Sequence, residues 1–470
     1  MNTHIFGQKV FWTVLATVTL LAITTNAAET RYKDRLFEVS KEVDVTYAEK
    51  VPKLSSLHDI AKLTFSFGDS IFFYTSESEV TLSSMKMDIY TPKGDTEKKR
   101  AAVIVAHGGA MIKGSKNDFS QLSITYCDSL AARGFVTASM GYRTGVSLRG
   151  EGNSLSIDSA DFGRSVYRGV QDINAAVRYM RKNADKYGID TNRIYLIGNS
   201  SGAILSIENI YTNNESEFPS YINYGDAPDL GPLNLYGEQG VGFHANGGVF
   251  LWGATHDPSI IGSSEVPVLL IHGTEDKTVP FKVGHPLDGA ARMLKRMAPE
   301  EYAPLVEAID FVVETPTLYG SYVIDSILKA KNIEHETFFA NTSTHEVYDE
   351  LEYEKTVQTK VFDFLFKLAS SNSTTSIGKH TIASRASGIQ MQKGNLSFIV
   401  TRGNNLKYTV MDLRGRPAMS GRVSANESVN LSSLSNGVYV LHVQGERAIR
   451  IGISKQRVSP KRAFHSNLKL

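Results

Sequence analysis

The central part of the chain alternates short, continuous apolar runs with longer segments of helical periodicity. Runs such as Ala101–Ala106 and Phe135–Ser139 are typical of strands that are buried on both faces of a parallel sheet. Val170–Lys186 instead repeats its apolar residues at helical spacing. Because strand and helix follow each other repeatedly, the pattern predicts an α/β fold with a doubly wound, mostly parallel sheet.

The same patterns predict the other elements of this region. Strands are expected at Val43–Tyr47, Ser70–Thr75, Ser84–Tyr90, Ile194–Ile197, Gly248–Trp252, Val266–Ile271 and Glu336–Ala340, and helices at Phe119–Ala132, Ser321–Ala330 and Lys355–Leu368. Two stretches interrupt the alternation. Residues 209–245 lack periodicity and are expected to form a loop or small cap. Residues 282–316 have helical character only at Ala290–Met297 and Tyr302–Phe311, and we treat them as a candidate cap.

The pattern changes near the C-terminus. Residues 29–370 carry the α/β pattern, whereas residues 371–388 are rich in Ser and Thr and are predicted to be a linker. Residues 389–454 consist of short strands separated by turns, which predicts a small β-sandwich, and residues 455–470 form a basic tail. The expected strands are Leu396–Thr401, Leu406–Asp412, Ser428–Leu431, Val438–Val443 and Ala448–Ile453.

Residues 1–28 have the features of a secretory signal peptide. Lys9 precedes the apolar stretch Val10–Ile23, and small residues follow, so we expect cleavage near Ala27 or Ala28. The apolar stretch is shorter than the ~20 residues that a membrane-spanning helix needs. We therefore expect an exported protein without a stable membrane span.

Composition excludes a few classes of function. The 470 residues are 41% hydrophobic and 21% charged, which is ordinary for a globular protein with more than one domain. The formal net charge is +1, so no overall field attracts nucleic acid, and we expect no nucleic-acid partner. A single cysteine, Cys127, excludes an intrachain disulfide. We expect no metal and no cofactor.

The candidate chemistry begins at Gly198-Asn199-Ser200-Ser201-Gly202, between a short apolar strand and an apolar run suited to a helix. A tight strand-to-helix turn holds the serine above the edge of the sheet, and the two glycines let strand and helix approach closely. Gly-x-Ser-x-Gly alone is a weak signal, but here it has the context that it requires. We therefore expect Ser200 to be a nucleophile.

The base that activates a serine is normally a histidine, and the chain has twelve. His345 follows the predicted strand Glu336–Ala340, and it completes the order serine, acid, histidine that accompanies this kind of turn. His272 and His256 also follow strands and remain alternatives. His107 adjoins two glycines, and we expect it to hold that glycine loop in place.

The acid should follow a strand between the serine and the histidine. Asp276 comes five residues after the predicted strand Val266–Ile271 and before Val279-Pro280, and its task would be to hold the His345 ring in one tautomer. Asp257, after the preceding strand, is the alternative.

The oxyanion that forms during acyl transfer needs N–H donors. Gly108 and Gly109 follow the strand Ala101–Ala106, where bare backbone can approach a substrate, and the N–H of Ser201 lies at the expected start of a helix. We expect these three residues to form the oxyanion hole.

Taken together, these motifs resemble the esterase and lipase group of α/β-hydrolases. The matching features are His-Gly-Gly at 107–109, Tyr142-Arg143, Gly-x-Ser-x-Gly at 198–202, His-Gly-x-x-Asp-x-x-Val-Pro at 272–280 and His345. The resemblance covers residues 68–368 and implies a serine carboxylesterase. Ala110 departs from the pattern, because many relatives carry a third glycine there.

A second resemblance lies within residues 389–454. It is to the sorting domain of the type IX secretion system of Bacteroidetes and their relatives, and the matching segments are Tyr408–Arg416 and Leu434–Val443. It covers residues 389–453. It implies a contact with the secretion machinery, export across the outer membrane, and then surface attachment or release. A carbohydrate-binding sandwich is the alternative, which the absence of an aromatic row in residues 396–453 disfavours.

The sequence thus predicts a secreted serine carboxylesterase. Export and the polar, Tyr-bearing segment 209–245 favour acetyl or feruloyl esters of plant cell-wall polysaccharide as substrates. A lipase or a serine peptidase on the same fold is the alternative among enzymes. A non-catalytic binding protein is the alternative of another class, although such a protein would be expected to have lost part of the triad or the glycine loop.

Overall fold

The computed structural model describes residues 30–54, 73–74, 80–117, 123–147, 149–151, 154–222, 230–287, 310–370, 389–392, 397–400, 404–412, 417–444 and 449–453. The predicted signal peptide, linker and basic tail lie outside these residues. The chain divides into two compact units, Met1–Asn372 and Ser373–Leu470. The finer domain boundaries at 28, 370, 388 and 454 stay predictions. Among the described helices, none is long and apolar enough to cross a membrane.

An eight-stranded sheet forms the centre of the first unit. The strands of this unit are β1 (Val39–Leu54), β2 (Phe73–Tyr74), β3 (Val80–Pro92), β4 (Arg100–Ala106), β5 (Val136–Met140), β6 (Val146–Ser147), β7 (Arg149–Glu151), β8 (Ser154–Ile157), β9 (Ile189–Asn199), β10 (Gly248–Leu251), β11 (Ala254–Thr255), β12 (Val268–Gly273), β13 (Val283–Gly284), β14 (Asp310–Val313), β15 (Leu318–Gly320) and β16 (His335–Ala340). The central sheet has the order β1-β3-β5-β4-β9-β10-β12-β16. Strands β5 to β16 of this order are parallel, and β1 and β3 form an antiparallel edge.

Helices cover both faces of this sheet. They are α1 (Ser123–Ala131), α2 (Ser159–Lys182), α3 (Ala184–Tyr187), α4 (Ser201–Tyr211), α5 (Ser321–Ala330) and α6 (Leu351–Ser370). Every residue of β4 is buried, and its side chains alternate between two apolar cores, one shared with α2, α4 and α5 and the other with α1 and α6. Burial on both faces explains why the parallel strands are continuous apolar runs. The predicted fold class is confirmed.

Two predicted helices differ from the structure. α2 begins at Ser159 and not at the predicted Val170. The apolar pattern does not reveal its first turns, because they carry buried polar residues that break the helical period. The prediction of a helix ending at Phe311 is wrong there, since Asp310–Val313 is β14, which pairs with β8. That pairing supplies backbone hydrogen-bond partners that a local pattern cannot reveal. Residues 288–309, which include Ala290–Met297, lie outside the described residues.

The second unit is all-β. Strands β17 (Ile389–Gln392), β18 (Ser397–Val400) and β21 (Ser428–Asn430) form one antiparallel sheet, and β20 (Pro417–Val423), β19 (Leu406–Asp412), β22 (Gly437–Val443) and β23 (Ile449–Ile453) form another. Apolar side chains such as Phe398, Val410 and Leu441 pack into one core. The sequence analysis missed β20, which begins with a proline; at an edge strand the missing N–H of proline leaves no ladder bond unmade.

Several connections of the first unit meet at the carboxyl end of the parallel strands. The segment after β5 contains β6, β7 and β8, and the segment after β12 contains β13 and β14. β8 pairs with β14, and β6 pairs with β2. In the sheet, β5 and β12 lie on opposite sides of β9. The β8–β14 pair therefore joins one segment from each side of β9, and Ser200 follows the end of β9.

Candidate active site

Ser200 lies in a strained turn between β9 and α4. Its φ is +53° and its ψ is −119°, a conformation that non-glycine residues rarely adopt. The turn is tight enough that a Cβ on Gly198 would lie 2.2 Å from the carbonyl oxygen of Gly202. Backbone strain of this kind persists only where the surrounding structure fixes it, and it concentrates at functional sites.

His345 approaches this serine from the loop after β16. Its Nε2 lies 2.9 Å from the Oγ of Ser200, and its Nδ1 lies 2.7 Å from the Oδ2 of Asp276. A carboxylate only accepts, so Nδ1 carries the hydrogen and the neutral ring keeps Nε2 free to accept the serine proton. The structure thus brings together the three residues that the sequence analysis selected for the triad.

Asp276 has no exposed side-chain surface and accepts several hydrogen bonds. Its Oδ1 accepts from the backbone N–H groups of Thr278 and Val279, at 2.8 and 3.2 Å. Burial alone would raise the pKa of Asp276, but hydrogen bonds from His272 and His345 bring that pKa well below its usual range. The carboxyl group therefore stays ionised throughout the neutral range.

Asp257 and His256, the alternatives from the preceding strand, point to other partners. Asp257 accepts the N–H of Ser259 and so begins a short 3-10 helix. His256 lies between the buried carboxylate of Glu208, 2.7 Å from its Nδ1, and the carbonyl oxygen of Glu217, 3.0 Å from its Nε2. Both groups thus have structural partners.

The glycine loop after β4 adopts left-handed backbone at three successive residues. Gly109, Ala110 and Met111 have φ angles of +118°, +56° and +64°. A Cβ on Gly109 would lie 2.2 Å from the carbonyl oxygen of Lys113. Ala110, which replaces the third glycine of many relatives, thus keeps a glycine-like conformation.

His107 holds this loop, as the sequence analysis expected. Its Nδ1 lies 2.7 Å from the carbonyl oxygen of Gly108, and its ring stacks on Tyr142 at a centroid distance of 4.2 Å. The hydroxyl of Tyr142 donates to the carbonyl oxygen of His107 and lies 3.1 Å from the Oγ of Ser201. These contacts fix the loop against the first turn of α4. Ser201 is the first residue of α4, where an N–H has no acceptor within the helix.

The sequence analysis missed several residues that support His345. Trp252 follows β10 with φ +44°, and its buried ring meets the His345 ring edge-on at 6.3 Å. The carboxylate of Glu350 accepts from the hydroxyls of Thr342 and Thr344, just before His345, and these bonds lower the pKa of Glu350. In the sequence, the only sign of this support for His345 is the threonine-rich loop before it and the glutamate that follows. In the described residues, no cluster of His, Cys, Asp and Glu could hold a metal ion.

Two family models match the chain. Residues 87–229 match the BD-FAE model, and residues 392–452 match the model of the secretion system C-terminal sorting domain. The first match contains the glycine loop and Ser200, and the second coincides with the all-β unit. A search of the curated proteins found no match.

Solved structures with similarity to the chain include several of esterase 2 from the Planctomycetes species Thermogutta terrifontis. The propionate-bound form is 17% identical, with 62% of this chain and 92% of that chain covered and a TM-score of 0.36. The form phosphonylated by sarin is 18% identical, with 66% and 99% covered and a TM-score of 0.37. The form phosphoramylated by tabun is 19% identical, with 63% and 95% covered and a TM-score of 0.37.

The two family matches confirm both resemblances that the motifs carried. The sorting domain indicates export to the cell surface or beyond. The chain is a carboxylic ester hydrolase in which an esterase-like BD-FAE domain is followed by a C-terminal sorting domain.

Proposed function

We propose that Ser200, His345 and Asp276 are the catalytic triad of this carboxylesterase. The observation that carries the proposal is the unbroken series of contacts from the Oγ of Ser200 through the His345 ring to Asp276, at 2.9 and 2.7 Å. These distances are those of a nucleophile and its base within hydrogen-bond reach, with the base oriented by a third group. Asp276 is also the only triad candidate whose carboxyl group is fully withdrawn from water.

The proposed reaction has two halves. The Oγ of Ser200 attacks the ester carbonyl while Nε2 of His345 takes its proton, and the imidazolium then gives that proton to the leaving alcohol. Water, deprotonated by the same nitrogen, attacks the acyl-enzyme, and the imidazolium returns this proton to the Oγ of Ser200 as the acid is released. Asp276 stabilises the imidazolium in both halves and does not itself take up the proton.

The N–H groups of Gly108, Gly109 and Ser201 are the proposed donors to the oxyanion. Support comes from the position of the first turn of α4 directly after Ser200, and from the loop that His107 and Tyr142 hold against that turn. Donors that are fixed before the reaction need no reorganisation when the charge develops.

The proposed substrates are acetyl or feruloyl esters of plant cell-wall polysaccharide. An exported esterase acts on esters outside the cell, and the sorting domain supports export. We also propose that residues 1–28 are the signal peptide that precedes this export, with the catalytic domain at 29–370, the linker at 371–388 and the sorting domain at 389–454.

The test is a panel of p-nitrophenyl acetate, acetylated xylan and methyl ferulate, assayed with the purified protein and with Ser200→Ala. We expect hydrolysis of acetylated xylan or methyl ferulate, and a p-nitrophenol burst equal to the enzyme concentration, because an acyl-enzyme accumulates. Activity that survives in Ser200→Ala would contradict the triad. Hydrolysis of p-nitrophenyl acetate alone would contradict the cell-wall assignment only.

A further inference from the structure

His272 contacts Asp276, the acid of the proposed triad, as His345 does. Its Nε2 lies 3.2 Å from the Oδ2 of Asp276, the same oxygen that is 2.7 Å from the Nδ1 of His345. Two imidazoles thus meet at one carboxylate oxygen. The side chain of His272 has no exposed surface, whereas that of His345 is 19% exposed.

The other neighbours of His272 fix its tautomer. Nε2 also lies 3.1 Å from the carbonyl oxygen of Val279, which can only accept, so Nε2 carries a hydrogen. Nδ1 lies 2.9 Å from the Oγ of Ser321, which can donate to it. The neutral ring with its hydrogen on Nε2 satisfies these contacts: the N–H donates to the carbonyl oxygen of Val279, and the Oδ2 of Asp276 lies 3.2 Å from the same nitrogen.

We propose that His272 is a positioning residue of the hydrolase, which acts through Asp276 by donating its Nε2–H to the oxygen that orients His345. The proposal rests on the triad assigned above. With this bond, the two oxygens of Asp276 receive hydrogen from His272, His345 and the two backbone N–H groups of Thr278 and Val279. A carboxylate with this many donors is held in one rotamer and resists protonation.

Removal of the His272 donor should affect the protonation of His345, the proposed base, and not only the stability of the fold. Asp276 would then face His345 with more uncompensated negative charge, which favours the protonated ring. The neighbouring charged residues, Glu275 and Lys277, are exposed on the same loop, and the elements packed against His272 present Phe281 and Ser321, which carry no charge. The acid limb of the pH profile of kcat/KM should therefore move to higher pH.

The test compares His272→Phe, which keeps the ring shape without a donor, with His272→Gln, whose side-chain amide keeps an N–H near the position of Nε2. His256→Phe is the matched control, because His256 is also buried but contacts no triad residue. Hydrolysis of p-nitrophenyl acetate is followed from pH 5 to pH 9, well below each variant's melting temperature.

We expect His272→Phe to lower kcat by about 10- to 100-fold with little change in KM, less than the ~10⁴-fold that loss of a triad acid's orientation costs. Its acid limb should move up, and His272→Gln should restore the position of the limb and much of kcat. His256→Phe should keep the wild-type limb.

The proposal is overturned if His272→Phe loses activity with an unmoved acid limb, if His272→Gln behaves like His272→Phe, or if His256→Phe moves the limb equally. Ser200→Ala, assayed in the same series, tests the triad separately. If it retains activity, the proposed function fails whatever the His272 variants do; if it is inactive, only the His272 variants decide this inference.

Discussion

Gly202 packs against the end of β4, so that a Cβ on this residue would lie 2.2 Å from the carbonyl oxygen of Ala106 and 2.5 Å from that of His107. The first turn of α4 therefore contacts the strand that leads into the glycine loop. No side chain larger than hydrogen fits between them without a shift of backbone. The second glycine of Gly-x-Ser-x-Gly thus sets the distance between the nucleophile and the proposed oxyanion donors.

This contact predicts that Gly202→Ala displaces α4 from β4. We expect a melting temperature several degrees lower and a loss of kcat of at least about 100-fold, because a 1 Å misplacement of reacting groups costs that much. Gly242→Ala is the matched control, since its nearest neighbour would be the flexible end of Arg181 at 3.3 Å. Wild-type kcat in Gly202→Ala would contradict the argument.

The nucleophile is tested by two adjacent serines. Ser200→Ala should lower kcat by about 10⁴-fold or more while the fold survives, as is typical for a triad serine. Ser201→Ala should keep most activity, because Ser201 is proposed to contribute its backbone N–H, and Tyr142 still holds the loop through its bond to the carbonyl oxygen of His107 when the contact with the Ser201 hydroxyl is lost. Steady-state hydrolysis of p-nitrophenyl acetate and circular dichroism measure the two effects. The opposite order of the two losses would mean that Ser200 is not the nucleophile.

The acid is tested by a second pair. Asp276→Asn keeps the shape but removes the charge that fixes the His345 tautomer, so we expect a loss of kcat that approaches 10⁴-fold. Asp257→Asn should change kcat little, because Asp257 accepts the N–H of Ser259 and contacts no triad residue. Equal losses in both variants, at equal melting temperatures, would argue against Asp276 as the acid.

Particular residues show how far the sequence could be interpreted. The parallel strands were predictable because burial on both faces leaves continuous apolar runs, and the meeting of Ser200, Asp276 and His345 was predictable because each of them follows such a run. The pairing of β8 with β14 was not predictable, since strand partners far apart in sequence leave no local signal. The sequence leaves His272 as an alternative base, whereas in the structure its Nε2 lies 3.2 Å from the Oδ2 of Asp276.

A buried ion pair makes stability depend on pH. Burial alone would lower the pKa of His256, but the Glu208 carboxylate raises it to about 9. In the unfolded chain the pKa of histidine is about 6.5, so the pair contributes stability that is fully present below that pH and is lost as the pH rises through about 9. The free energy of unfolding of the wild type should therefore fall with rising pH more steeply than that of a variant without the imidazole.

We expect the difference in unfolding free energy between wild type and His256→Gln to shrink by roughly 1–3 kcal/mol between pH 6 and pH 10. Urea denaturation at several pH values measures it. A difference that stays constant over this range would show that His256 is not charged in the folded protein.

The last prediction concerns the two units. The first unit contains both apolar cores of the α/β region and every proposed catalytic residue, and the second has an apolar core of its own. A protein of residues 29–370 should therefore fold and hydrolyse p-nitrophenyl acetate at a rate close to that of the full chain. In a host with the type IX system, residues 1–370, which keep the proposed signal peptide, should reach the periplasm and stay there, because the sorting domain is missing. Fractionation and activity assays of the two proteins test both parts.

Normal export of the truncated enzyme would show that the sorting domain is not needed for export. Retained activity on small esters with a loss confined to polymeric substrate would instead assign polysaccharide binding to residues 389–454.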